Sequence, residues 1–451
     1  MNPRTRTFLS GLATLACLSA APAWAETLTL PVAVARAQER NHDLAIARSR
    51  LEEARATQGR VTTAFLPNIQ AVGTYTHNSK ESKLDSGAMI LGIAKALNIP
   101  FSPANLPPPS IIQKADSFGA AVTLDETVFS LTPVLMRQSA SRAVEAQEAG
   151  LEATRREIAY QVAQIFYNTA GVERLVQVAE RALALSDKRI AVAEQRRAAG
   201  AEGEVTVLRA QSERDKAEQD LVRAQLARQQ LLVALGNLIG DATPTDLAPP
   251  PDIAAPEGDL AALMAQVVRN RSDLQAKRKA VEAAQSSLRE AELRWLPMVT
   301  VGANGRYTDT TGFAGENWLW SASANLIVPI FDRGARYADA RERRQTVVRL
   351  QQEVDKAEAD LRAAVQQSQQ EIEASRHTLV VATRQAEKAK RTAEIIASAQ
   401  QAGAATSLEV AEADTSLRLA ESGVEREHIN LDLAYLRLRH LTGQVRPDQL
   451  P

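Results

Sequence analysis

Glu409 and Glu412 are the residues whose type and spacing most invite a chemical reading. Three residues apart on a helix, they project from one face and form an acidic patch that can attract cations. A solvated helix face carries such pairs just as readily, and the two residues alone leave both readings open. The remaining chemistry is sparse. The histidines, His42, His77, His377, His428 and His440, are dispersed and lack the ligand spacing of a zinc site. His428 and His440 fall on one expected helix and are assigned to its polar faces. The single cysteine is Cys17, close to the N-terminus, so the rest of the chain has no thiol for catalysis, disulfides or metal binding. Neither a nucleophile elbow nor a phosphate-binding glycine loop occurs. An enzyme is therefore not expected, and no cofactor or metal.

The elements that must position the two glutamates are legible from punctuation. A proline inside a helix costs about 3 kcal/mol, and none of the 19 prolines falls between Val134 and Thr243 or between Ile330 and Arg446. Both blocks are rich in Ala, Leu, Glu, Gln and Arg, which favour helix. A helix from about Thr132 to Ala199 would be ~100 Å long. Expected shorter helices, Glu26 to Ala64 and Val205 to Ile239, would stack end to end against it. In the second block Arg333 to Ala402 pairs in the same way with Asp259 to Arg294 and Ser407 to Thr442. Coiled-coil spacing runs through Leu221, Ala224, Arg228, Leu231, Leu235 and Leu238, and again through Val424, Glu427, Leu431, Ala434, Leu438 and Leu441.

The two blocks belong to a tandem duplication. Asp43-Leu44 and Phe65-Leu66-Pro67 recur as Asp273-Leu274 and Trp295-Leu296-Pro297. Gly200, Val207, Ala210, Leu235, Leu238 and Gly240 recur as Gly403, Val410, Ala413, Leu438, Leu441 and Gly443. The offset shrinks between these groups because the first copy carries a longer insertion between Asn78 and Ser117. The first repeat is 26–240, the second 259–443, with a proline-rich linker at 241–258 and a short tail at 444–451.

Each repeat also carries two alternating stretches that predict strands, about 67–78 and 117–129, then about 297–309 and 318–331. Ile69, Ala71, Gly73 and Tyr75 form one face, as do Phe118, Ala120, Val122 and Leu124. Val299, Val301, Ala303 and Tyr307 follow, then Trp318, Trp320, Ala322, Ala324 and Leu326. Strands of about ten residues with one apolar face suit a tilted crossing of an outer membrane. Tyr75, Tyr307, Trp318 and Trp320, near strand ends, sit where an interfacial aromatic girdle would lie. Strands favour aromatics in general, which accounts for part of that clustering.

Residues 1–25 have the form of a secretory signal: Arg4 and Arg6, an apolar run from Phe8 to Leu18, and Ala23-Trp24-Ala25 before the expected cleavage. Cys17 raises the question of a lipoprotein, but Thr14-Leu15-Ala16 puts a polar residue where a lipobox has an aliphatic one. Aromatic residues are 4% of the 451, and 53 basic against 54 acidic side chains give no pull toward nucleic acid. No apolar run reaches the ~20 residues of a membrane-spanning helix.

Leu66-Pro67 and Leu296-Pro297, each ending a helix at a strand start, together with the strand exit Val328-Pro329-Ile330-Phe331-Asp332-Arg333-Gly334, resemble the TolC-like outer-membrane efflux family. The first-copy exit, Thr127-Val128-Phe129-Ser130, is a degenerate version. The resemblance covers essentially the whole chain after the leader. It implies a mainly α protein with a small β part, in which long coiled-coil helices form a periplasmic α-barrel. Four strands per protomer would join a homotrimeric, twelve-stranded transmembrane β-barrel in outer-membrane lipid. That assembly answers a physical need, since four strands cannot close a barrel and would leave open edges in lipid. It implies a Gram-negative outer-membrane location with a large periplasmic portion, and the role of exit duct for tripartite efflux or type I secretion. Loops Ser79 to Asp116 and Thr310 to Asn317 would face outside. The turns at 200–204 and 403–406, with Gly200, Ala201, Gly203, Gly403, Ala404 and Thr406, would form the tip that meets a periplasmic adaptor (membrane fusion) protein. The adaptor would couple to an inner-membrane pump whose class, RND, ABC or MFS, is left open, as is the cargo.

Glu409 and Glu412 then match two family aspartates and would stack as acidic rings at the periplasmic gate. In the first copy Arg209 replaces the second acid. The tyrosine and arginine that latch the family's closed entrance fall at Gln400 and Ala405, so that latch is missing. A soluble periplasmic coiled-coil scaffold or adaptor without a pore is the alternative, but it predicts one helical hairpin between β-rich flanks rather than two hairpins and alternating strands.

Overall fold

The computed structural model describes residues 27–445 apart from 101, 103, 105, 242, 245, 255, 256 and 311–314. The expected leader, its cleavage site and the last six residues of the tail lie outside the described residues. The element order is α1 (Leu30–Arg40), α2 (His42–Thr62), β1 (Asn68–His77), β2 (Ser82–Leu84), α3 (Ser86–Ala96), β3 (Ser110–Gln113), β4 (Asp116–Phe129), α4 (Thr132–Ala198) and α5 (Glu204–Ile239). The second half continues with α6 (Leu260–Asn270), α7 (Ser272–Glu292), β5 (Met298–Thr308), β6 (Trp318–Ile327), α8 (Ala335–Gln401) and α9 (Ser407–Leu441).

α4 and α8 are each unbroken for 67 residues, about 100 Å of helix. The seam residues Leu221, Ala224, Leu231, Leu235 and Leu238 of α5, and their counterparts on α9, are buried or half-buried, so the three-four spacing reports real contact. Helix order across the protomer is α5, α4, α9, α8, since α4 packs on α5 and α9 while α8 packs on α9.

The expected helix over Glu26 to Ala64 is instead two. Asn41 adopts ψ 132, and its side chain accepts from the backbone N–H groups of Asp43 and Leu44, capping α2. Its Nδ2 donates to Leu238 O, 2.9 Å away, where α5 ends. Thus α5 and α2 form the end-to-end column beside α4, while α1 packs alongside α4 and α5 instead of lengthening it. The expected helix over Asp259 to Arg294 breaks likewise at Arg271, ψ 111, whose guanidinium donates to His440 O at 3.1 Å. Gly240 and Gly443 turn the ends of α5 and α9 in left-handed conformations, where a Cβ would lie 2.8 Å from Arg40 O and 2.9 Å from Asn270 Cβ. A side chain at either would push the joint apart. Around the first joint lies the main core, including Leu30, Val34, Leu44, Ile158, Phe166, Leu235 and Ile239. The linker straps across it, with Leu28 bridging Leu247 and Tyr167 Oη donating to Pro251 O at 2.6 Å. Burial pushes the Tyr167 phenol up to about 12.

His440 does not lie on a polar face. Its ring stacks on Tyr160 at 4.0 Å between centroids and lies 3.3 Å from a Glu157 carboxylate oxygen. His428 is exposed. On α8, Arg336, Arg343, Arg344 and Arg349 pair with Asp332, Asp339, Glu292 and Glu353, and Arg343 also reaches Glu290, whose side chain is only 3% exposed.

Four of the strands form one antiparallel sheet in the order β1-β4-β5-β6. Paired residues share a face, and the register aligns Tyr75 with Phe118, Val122 with Ala71 and Gly305, Ala303 with Ala322, and Tyr307 with Trp318. All four apolar sets therefore lie on one surface of the sheet, with Glu126 near one end and His77 and Asp116 at the opposite rim as its ionisable members. Gln70, Thr74, Thr123, Asp125, Asn304, Arg306, Ser321, Ser323 and Asn325 line the other surface. β1 and β6 are paired on one side only. β6 ends at Ile327, not near 331. Pro329 has no N–H for the ladder, and Arg333 (φ 60) and Gly334 (φ 82) turn the chain into α8 in left-handed conformations. Asp332 accepts from the N–H groups of Gly334 and Arg336 at 3.2 and 2.9 Å, so the exit motif is a turn and helix cap. The expected first-copy outer loop also holds structure, a two-stranded ribbon of β2 and β3 carrying α3.

Candidate functional site

At the far end of the hairpins the two turns share one backbone. Gly200 (φ +74) and Gly403 (φ +77) follow α4 and α8. Their N–H groups donate to Arg197 O and Gln400 O, while Ala201 N and Ala404 N donate to Arg196 O and Ala399 O, all within 2.8–3.0 Å. These bonds satisfy carbonyls that the helix ends leave open. The next helices start differently. Gly203 precedes α5 without a side-chain cap. Thr406 caps α9 in a reciprocal box: Glu409 N donates to Thr406 Oγ1 at 3.3 Å, and Thr406 N donates to Glu409 Oε2 at 2.7 Å.

Glu409 and Glu412 do share an exposed face of α9, opposite buried Val410 and Ala413. Glu409 has a structural duty that spacing alone did not reveal, and the N–H of Thr406 holds its carboxyl below the usual carboxylate range. Glu412 has no ion-pair partner among the described residues.

Gln400 is 8% exposed and has a different use from a tyrosine latch. Its carbonyl accepts from Arg196 at 3.3 Å and its Nε2 lies 3.3 Å from Ser407 Oγ. Ser407 donates to Glu202, which pairs with Arg196 at 3.2 Å. The four residues come from α4, the first turn, α8 and α9, so they tie the two hairpins together. Ala405 adds nothing to this cluster. Further rungs climb the same crevice. Arg189 of α4 grips Asp414 of α9 through two bonds of 2.8 and 3.2 Å. Thr415 meets Glu213 at 3.4 Å, and Arg418 pairs with Asp220. Between the rungs lies a cavity of about 680 Å³ lined by apolar Leu185, Val192 and Val410 and by charges of both signs, among them Arg181, Arg209 and Glu421.

At the opposite end Tyr75, Tyr307, Trp318 and Trp320 cluster at the insertion-bearing rim of the apolar sheet surface, with Trp320 78% exposed. A second belt, absent from the sequence reading, is formed by exposed Phe65, Phe129, Trp295 and Phe331 where the sheet meets the helices. The available signal was that Phe65 and Trp295 directly precede the two Leu-Pro motifs while Phe129 and Phe331 stand in the two strand exits.

The sequence profile of the outer membrane efflux protein family matches residues 33–241 and 263–444. The chain belongs to that family. The break in the match falls on the linker, so each repeat of this outer membrane efflux protein is matched separately. It is 32% identical over 179 residues to protein CyaE of Bordetella pertussis, a stretch that spans 37% of each chain. Its fold is that of the outer membrane protein VceC from Vibrio cholerae, with TM-score 0.73 at 19% identity over 92% of this chain and 96% of VceC. The CmeC outer membrane channel of Campylobacter jejuni is similar, with TM-score 0.74 at 15% identity over 98% and 94% of the two chains.

Proposed function

We propose that this outer membrane efflux protein is one protomer of a homotrimeric channel in a Gram-negative outer membrane. It serves as the exit duct for tripartite efflux or type I secretion and supplies no chemistry of its own. The observation that carries this reading is the four-stranded sheet. It has one continuous apolar surface and two edges each paired on one side only, and it continues into helices about 100 Å long. Open edges are not tolerated in lipid, and three such sheets closing edge to edge remove them. The apolar surface then faces lipid between the two aromatic belts, while the surface with Asn304, Arg306 and Asn325 faces water.

The helices form the periplasmic tunnel, and its tips meet an adaptor coupled to an inner-membrane pump. The crevice between the hairpins is the part that opens, with the Arg196–Glu202–Ser407–Gln400 cluster and the Arg189–Asp414 pair as the latch in place of the absent tyrosine and arginine. Glu409 and Glu412 ring the entrance and favour cations. Purified protein reconstituted in planar bilayers tests the whole reading. Detergent-dependent extraction, a trimer and cation-selective conductance are expected. Extraction without detergent and no conductance would instead favour the soluble scaffold.

A further inference from the structure

α3 reverses the usual pattern of a surface helix. Its packed side is made of Gly87 and Ala94, both buried. A Cβ at Gly87 would lie 3.0 Å from Pro107 O and 3.2 Å from Leu106 Cβ, so only a minimal side fits there. The large apolar side chains all point away: Met89, Ile90, Leu91 and Ile93 are exposed, as are Leu97 and Ile99 just beyond the helix. Lys95 is the one charged residue in Ser86–Ala96. Contiguous exposed apolar surface of this kind marks a contact site.

We propose that α3 packs against the same helix of the two other copies to form an apolar closure over the outer mouth of the channel. This rests on the trimeric reading above. Three features choose other copies over lipid. First, the ten residues of β1 already span a hydrocarbon layer of about 25 Å. Second, α3 stands on a ribbon that prolongs the β1–β4 pair, held at its root by Asn78 N donating to Ala115 O at 2.6 Å and Gln113 Nε2 to Asn78 Oδ1 at 3.0 Å. At about 3.3 Å per residue, Asn78 to Leu84 lifts the helix by up to about 20 Å, clear of the acyl chains. Third, β1 is an edge strand, so each insertion rises next to the boundary with the neighbouring protomer. Ring closure therefore gathers three apolar helices around one opening. A constriction lined by such side chains impedes hydrated ions by dewetting, which gives the channel an outer barrier separate from the periplasmic gate.

The test uses the full chain reconstituted as a trimer, with assembly followed independently on native gels. Because the single cysteine, Cys17, lies in the expected leader, Met89→Cys should be joined between protomers by a short bis-maleimide, whereas Glu81→Cys, at an exposed position on the ribbon, should not. Met89→Asp with Ile93→Asp should keep the trimer and raise single-channel conductance about twofold, because charge wets the constriction. An intact trimer that shows no crosslink at Met89→Cys, or an unchanged conductance in the aspartate variant, overturns the closure. So does labelling of α3 by a lipid-phase photoreactive probe. Absence of a trimer in the unsubstituted protein would show that the channel reading had failed first, and the closure with it.

Discussion

Removing the Arg189 side chain is the sharpest test of the latch. Arg189 and Asp414 are 29% and 18% exposed and meet through a two-pronged contact of 2.8 and 3.2 Å. An exposed pair contributes about 0–1 kcal/mol, and breaking a fully buried one costs about 3–5 kcal/mol. This pair is largely shielded but borders the tip cavity of about 680 Å³, which is large enough for water. A coupling of about 1–2 kcal/mol is expected, between those limits. Because about 1.4 kcal/mol is a factor of ten, Arg189→Ala should raise the open-to-closed ratio of its protomer about tenfold. Open probability in planar bilayers reads this directly, and Asp414→Ala should match it without adding to it. The swap Arg189→Asp with Asp414→Arg should recover most of the closed state. Independent effects that sum within about 0.5 kcal/mol would refute the pair as a latch, as would an Arg189→Ala channel with the original open probability.

Thr406→Ala should destabilise the first turn of α9 by about 1 kcal/mol, seen as faster amide exchange at Glu409 and Val410 with no change at the uncapped first tip. Gly171→Ala places a Cβ about 2.1 Å from Ile429 Cγ1; the overpacking should cost about 1–3 kcal/mol between α4 and α9, and Ile429→Ala should recover part of the melting temperature lost. Glu409 has a carboxyl held below its ordinary value of 4.5 by the N–H of Thr406. Its contribution to the α9 cap is therefore complete above that ordinary value and disappears as pH falls through the lower folded value. Glu409→Gln should remove that acid-side loss, and an unchanged pH profile of amide exchange would refute the assignment. Joint Glu409→Ala and Glu412→Ala substitution should lower cation selectivity, and unaltered selectivity removes the gate role.

The strand faces were legible because pairing preserves parity: once Tyr75, Phe118, Tyr307 and Trp318 each sat on the apolar side of their own strand, the observed register could only place them together. The long helices were legible from absent prolines. The breaks at Asn41 and Arg271 were not, because neither residue forces a break by type; they are fixed by bonds to helix ends 197 and 169 positions away. For the same reason the candidate latch was invisible, since Arg189 and Asp414 become neighbours only after the two hairpins dock. α3 was missed because an apolar run flanked by glycines and prolines carries no amphipathic period. Glu409 and Glu412 could be placed on one face by spacing, but the capping bond that occupies Glu409 depends on how the turn before it closes.

The position of the rungs also bears on cooperativity. Arg189–Asp414, Arg418–Asp220 and the Arg196–Glu202–Ser407–Gln400 cluster all join α4 and α5 to α8 and α9 of one chain. In the helix order α5, α4, α9, α8 the lateral surfaces belong to α5 and α8, whereas both ends of every rung named above lie within one chain. A trimer latched in this way has three independent fastenings, and unlocking one protomer leaves the other two unbiased by these contacts. Channels in which Arg189→Ala and unsubstituted protomers are mixed should therefore open through intermediate conductance levels, with one step for each altered protomer. A single all-or-none jump, identical for one, two or three altered copies, would place the controlling contact between protomers, on the faces of α5 and α8, and remove it from the crevice.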